Sequence, residues 1–122
     1  METKIDWAGR RSDCPIASAL DLFGDKWSLL IVRDIGLFGR HRYKELETAG
    51  EGIPTNILAA RLKHLAGIGI VERRQYQARP PRYEYHLTAA GQELLPVLGA
   101  LADWSLRHIE GVQLPASVSA RR

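Results

Sequence analysis

Strand-like alternation falls in two neighbouring places in this chain, residues 70–76 and 82–87, and the Pro80-Pro81 pair stands between them. Proline has no N–H to give to a sheet ladder, so the pair marks a hairpin tip rather than the interior of a strand. Arg79 and Arg82 make that tip a projecting basic loop. The other regular segments have helical spacing, which predicts a mainly α chain with a small β-hairpin, an α+β fold in which one hairpin is appended to a helical body.

Pro15 suits the first position of a helix, where its missing N–H has no partner to lose, and Ile16, Ala19, Leu20 and Phe23 then repeat helically up to Gly24. Asp25 is the expected N-cap of a second, mostly buried helix in which Trp27, Leu30, Ile31, Asp34 and Ile35 are neighbours. A short third helix is predicted over residues 44–49, with Tyr43 and Leu46 inward and a turn at Gly50 and Gly52. The fourth spans 54–66, with Leu58, Leu62 and Leu65 on one face and Asn56, Ala59, Ala60 and Lys63 on the other. After the hairpin, Thr88 caps one long final helix with a stripe of Leu94, Val97, Leu98, Leu101, Ala102 and Trp104, interrupted by Pro96 and fraying near Ile109. Residues 1–13 read as a mobile arm, 14–110 as the domain, and 111–122 as a flexible tail.

A chain of 122 residues, 45% hydrophobic and 25% charged, is enough for one globular domain. The apolar run at 29–32 ends at Arg33, too short for a signal peptide or a membrane span, so the expected location is the cytoplasm. Cys14 is the single cysteine, and histidines 41, 64, 86 and 108 have no metal-ligand spacing, so neither a metal nor a cofactor is expected. With no nucleophile beside a base and no glycine-rich phosphate loop, an enzyme is not expected either. The net charge is only +3, but residues 40–82 hold nine lysines and arginines against four glutamates. Basic charge gathered mid-chain is compatible with a polyanionic partner.

Two consecutive short helices followed by a hairpin with a charged tip make a winged helix-turn-helix, a three-helix core plus wing. A helix of roughly 10–12 Å diameter fits the major groove of B-DNA while the wing reaches backbone or minor groove. In the helix at 54–66, Thr55 and Asn56 stand at the reading end, Ala59 and Ala60 allow close approach, Asn56 matches adenine, and Arg61 and Lys63 reach guanine or phosphate. Arg40, His41, Arg42 and Lys44 open the preceding helix, where unpaired N–H groups favour a phosphate. On the wing at 77–83, Arg79 and Arg82 are better phosphate candidates than Arg73 and Arg74, which have Glu72 and Glu84 as neighbours. The plainer readings are solvated surface charge, or a winged helix serving protein interaction without DNA.

Particular segments go further: Cys14-Pro15-Ile16, Gly24-Asp25-Lys26-Trp27-Ser28-Leu29-Leu30-Ile31, Arg42-Tyr43-Lys44-Glu45-Leu46, Leu58-Ala59-Ala60-Arg61-Leu62-Lys63, and Arg79-Pro80-Pro81-Arg82 running on to Thr88. In this order and spacing they closely resemble the HxlR-type (MarR-like) bacterial transcriptional regulators. The resemblance implies a homodimeric repressor or activator bound to an operator in double-stranded DNA, with the first and last helices as the dimer interface. Ile16, Leu20, Leu94, Leu98, Leu101 and Trp104 are the residues those helices offer. Some relatives sense oxidants or electrophiles through a cysteine at the place of Cys14. Arg10 and Arg11 lie beside this thiol and Asp13 opposes them, so a redox sensor and an inert thiol both stand. A small-molecule effector in an apolar pocket near Trp27 and Trp104 is compatible with the same reading, as is plain core packing for both rings.

Overall fold

The computed structural model describes residues 4–114. Helix α1 is Pro15–Phe23, α2 Ser28–Gly36, α3 Tyr43–Glu47 and α4 Thr55–Gly67; strands β1 (Val71–Gln77) and β2 (Arg82–Leu87) follow, then α5 (Ala89–Gln92) and α6 (Leu95–His108). Pro15 opens α1, and Gly24 closes it by donating its N–H to the Leu20 carbonyl at 2.8 Å. Asp25 does the work of a cap from slightly farther out than expected. Its carboxylate accepts the N–H groups of Trp27 and Ser28, each at 3.0 Å, and the Ser28 hydroxyl at 2.6 Å, so α2 begins at Ser28.

The core is built where the apolar faces of these elements meet. Ile31, Val32 and Ile35 of α2 pack with Leu46 of α3, Leu58, Leu62 and Leu65 of α4, and Ile70, Val71 and Leu87 at the root of the hairpin. One carboxylate is buried with them. Asp34, 4% exposed, accepts from Arg33 and Arg40, each at 2.9 Å, and Arg33 also bonds Glu51 at 2.7 Å. Asp34→Ala would leave two guanidinium groups without that partner. The expected loss is about 2–3 kcal/mol, below the usual cost of breaking a buried pair because Arg33 and Arg40 keep some access to water. Urea unfolding should show a lower midpoint at unchanged slope. A loss under about 0.5 kcal/mol would mean that water replaces the carboxylate.

The hairpin is antiparallel, with Val71 opposite Leu87 and Arg74 opposite Glu84, and its register slips between Gln75 and Gln77, which leaves Tyr76 without a partner across the ladder. His41 ties β2 to the segment before α3: its carbonyl accepts the Tyr85 N–H at 2.7 Å, and its Nδ1 donates to the Tyr85 carbonyl at 2.9 Å. The wing is therefore bonded to the helical body before α3 begins.

One expectation needs correction. The single long final helix is two helices. Thr88 caps only the short α5, through its hydroxyl and the Gly91 N–H, and α6 starts afresh at Leu95. Pro96 has no N–H to return to the preceding turn, so an unbroken helix would lose a bond there. Gly91 also lies against the hairpin root, where a Cβ would meet the Ile70 carbonyl oxygen at 2.2 Å. Residues 4–13, ahead of α1, touch the helical body at three places. Ile5 packs on the core, Trp7 meets the His64 ring edge-on at 6.5 Å, and Arg11 bonds Asp21 at 2.7 Å. Two apolar side chains in a polar stretch carry no period, which is why periodicity misses them. The tail is described as far as residue 114, and its remainder at 115–122 lies outside the described residues, as do residues 1–3.

Candidate nucleic-acid interface

The angle between α3 and α4 is set by polar bonds across the turn. The Tyr43 hydroxyl donates to the Thr55 carbonyl at 2.8 Å, and the Thr55 hydroxyl bonds the Glu47 carboxylate at 3.0 Å. Thr55 is thus spent largely on joining the two helices. Beyond it, α4 buries Leu58, Leu62 and Leu65 and leaves Asn56, Ala59, Ala60 and Lys63 exposed on the opposite face. Neither Asn56 nor Lys63 has a polar partner among the described residues.

Arg61 goes elsewhere. Its guanidinium lies 3.5 Å from the Asp25 carboxylate, on the flank of α4 that faces the start of α2. Burial raises the pKa of Asp25, but the Ser28 hydroxyl, the N–H groups of Trp27 and Ser28, and Arg61 outweigh it and hold the carboxyl below the usual carboxylate range. The Asp25 end of the tether is therefore ionised at neutral pH.

The start of α3 differs from expectation in the same sense. The N–H groups of His41 and Arg42, thought open to a phosphate, both donate to the Glu45 carboxylate, at 3.2 and 3.0 Å. Arg40 is bound to Asp34, while Arg42 lies over the Tyr76 ring at 4.4 Å and near Glu84 at 3.5 Å. The hydrogen bond from His86 is the main influence lowering the pKa of Glu84; desolvation opposes it, and Arg42 adds to it. His86 stacks on His41 with ring centroids 4.3 Å apart. Arg42, Tyr76, Glu84 and the two imidazoles therefore lock the wing to α3. Lys44 stays exposed and without a partner among the described residues.

At the tip, the Gln77 amide donates to the carbonyls of Arg79 and Pro80, each at 3.2 Å, and shapes the turn. Arg79 and Arg82 project from it exposed and unpaired among the described residues. Farther down, Arg74 pairs with Glu72 and Arg73 covers the Tyr83 ring at 4.1 Å. Between α3 and the wing runs an open cleft of about 710 Å³, lined by Arg42, Lys44, Thr48, Tyr76, Arg82 and Tyr83. Among the described residues, the free cations of α4, α3 and the tip are Lys63, Lys44, Arg79 and Arg82. The roles of Tyr76 and Glu84 toward Arg42 were missed because nothing in one-dimensional spacing pairs residues so far apart, whereas that of Glu45, three residues beyond Arg42, was open to a capping argument.

On the remaining surface, Ile16 is 72%, Leu20 54%, Leu101 51% and Trp104 54% exposed, so α1 and α6 each keep an uncovered apolar face. Leu94 and Leu98 differ from them in turning inward against the core. Cys14 is exposed at the N-cap of α1, where its sulfur accepts the Ala17 N–H at 3.5 Å. Trp27 lines a cavity of only about 10 Å³ with Leu46 and Ile53, while Trp104 tilts over His108 at the surface. Among the described residues no cluster of His, Cys, Asp or Glu suits a metal ion, and no helix is long and apolar enough to cross a membrane.

Helices α3 and α4, their fixed turn and the braced basic hairpin define a winged helix-turn-helix. Residues 22–113 match the model of the HxlR-like helix-turn-helix family, and the chain belongs to that family. It is 42% identical over 95 residues to an uncharacterized HTH-type transcriptional regulator of Synechocystis sp., a match covering 75% of this chain and 70% of that one. Among solved structures it resembles a MarR-family transcriptional regulator from Porphyromonas gingivalis W83, with TM-score 0.72 and 36% identity over 80% of this chain and 95% of that one. The reduced form of the transcriptional regulator YodB from B. subtilis is similar too, with TM-score 0.66 and 32% identity over 84% and 100% of the two chains. Membership makes this a regulator of the helix-turn-helix class.

Proposed function

We propose that the chain binds double-stranded DNA sequence-specifically, as a cytoplasmic homodimer that represses or activates transcription, with α4 in the major groove and the wing on backbone or minor groove. One observation carries this reading: an exposed helix face of small and amide side chains, with Asn56 and Lys63, is flanked by Lys44, Arg79 and Arg82, and among the described residues none of these five polar side chains has a partner. Small residues admit the helix to the groove, and cations around it meet phosphates without first breaking an internal pair. Arg40, Arg42 and Arg61 are the scaffold of this interface, each held by a carboxylate.

The apolar faces of α1 and α6 support the dimer, built on Ile16, Leu20, Leu101 and Trp104. A two-fold dimer presents its two α4 helices to half-sites about 10 base pairs apart or a multiple of that. Asn56→Ala should cost about 1–3 kcal/mol on the preferred site and little on random duplex, read by competition binding. Equal losses on both would place Asn56 on the backbone.

A second reading, response to oxidants or electrophiles, is favoured by the exposure of Cys14 at the end of α1 beside the proposed dimer face. As Cys14 is the single cysteine, it has only a partner subunit's thiol, a small thiol or an electrophile to react with. Mass spectrometry after diamide treatment, with and without DNA, tests it.

A further inference from the structure

We propose that the half-site read by α4 is centred on A·T pairs, and that Asp25 sets this preference by holding Arg61 out of the groove. The inference rests on the DNA-binding reading above and names what that interface reads. Guanine is read most often by arginine or lysine, through O6 and N7 in the major groove. The single arginine of α4 is Arg61, and its guanidinium is tied to Asp25 at 3.5 Å. Asp25 is itself pinned by the Trp27 and Ser28 N–H groups at 3.0 Å and the Ser28 hydroxyl at 2.6 Å, so the anchor does not swing outward with the arginine.

In its N-terminal half, the face left to the bases therefore carries the Asn56 amide and the methyl groups of Ala59 and Ala60, with Lys63 following toward the C-terminal end. An amide pairs in two-pronged fashion with adenine N6 and N7, and an alanine methyl packs on the thymine 5-methyl group. These contacts all suit A·T pairs, and none of them suits guanine. Lys63 lies seven residues, roughly two turns or 10 Å, beyond Asn56, nearer the C-terminal end of the helix, where backbone is in reach. Asp25 is thus a positioning residue for specificity that touches no DNA.

The test is selection from random duplexes by the purified chain and by Asp25→Asn. Asparagine keeps a capping oxygen for α2 and removes the charge that holds Arg61. The unaltered chain should enrich contiguous A·T pairs at the positions under α4, and Asp25→Asn should raise guanine at one or more of them by about fivefold or more. In the selected site, 7-deazaadenine at the paired adenine should weaken binding at least fivefold, and uracil for the contacted thymine by about fourfold, the worth of one methyl group. Thermal unfolding checks that Asp25→Asn is folded, and Asp25→Ser, another good cap, takes its place if not. G·C pairs enriched under α4 by the unaltered chain overturn the proposal, and so does an unchanged base preference in the folded Asp25 variant. Enrichment of no sequence at all refutes sequence reading itself, and this inference with it.

Discussion

Raising monovalent salt from about 50 to 200 mM should weaken DNA binding by about 10⁴-fold. Lys44, Lys63, Arg79 and Arg82 are exposed and lack a partner among the described residues, so a dimer brings on the order of eight cations to phosphates. Each phosphate neutralised releases condensed counterions, and eight contacts give a slope of log affinity against log salt near −7. Arg82→Ala removes one contact from each protomer and should make the slope shallower by about 2, whereas Arg74→Ala, whose guanidinium already serves Glu72, should change it less. Fluorescence anisotropy over a salt series measures both. A slope shallower than about −3 would leave too few phosphate contacts for two wings and would favour protein interaction as the use of this fold.

Replacing Leu101 and Trp104 together by glutamate should yield a folded monomer and lower affinity for a two-half-site duplex at least about 100-fold. Ile16 and Leu20 on α1 and Leu101 and Trp104 on α6 are all more than half exposed, an unusual load of apolar surface for a chain this size. Burying such a side chain contributes about 1.5–3 kcal/mol, so four from each protomer are ample to hold a dimer. A carboxylate has no partner in that apolar contact and would be expelled with it. The duplex affinity falls because the second half-site is then engaged from bulk solution and not at the high effective concentration that a dimer supplies. Light scattering reads the mass, and circular dichroism checks that the helices survive. A double variant that stays dimeric would place the interface elsewhere.

Local chemistry made much of the architecture legible. Pro15 and Gly24 bracket α1, the three buried leucines of α4 define its inner face, and Pro80-Pro81 locates the turn of the hairpin. These residues act through their own backbone or through neighbours one turn away, which one-dimensional spacing records. The exposed half of the interface was legible for the same reason: a residue opposite the leucine face of a helix points to solvent whatever the rest of the chain does. Asn56, Ala59, Ala60 and Lys63 stand where periodicity puts them.

Charge pairing was not legible. Arg40, Arg42, Arg61, Arg79 and Arg82 are alike as letters, yet the first three are held by Asp34, Glu84 and Asp25 while the last two have no partner among the described residues. The distinction depends on which carboxylate arrives within about 4 Å after folding, and the partners of Arg42 and Arg61 lie far along the chain. The break between α5 and α6 has the same origin, since Pro96 weakens the helix locally but the packing of Gly91 on the Ile70 carbonyl needs the hairpin root in place. The amino-acid sequence alone thus determined helices α1 to α4, the hairpin and the outward face of α4, because backbone geometry and hydrophobic period are properties of adjacent residues. Only the tertiary structure decided which cations face a partner and which are already spent, because Coulomb attraction and hydrogen bonding act through space between residues the chain order keeps apart.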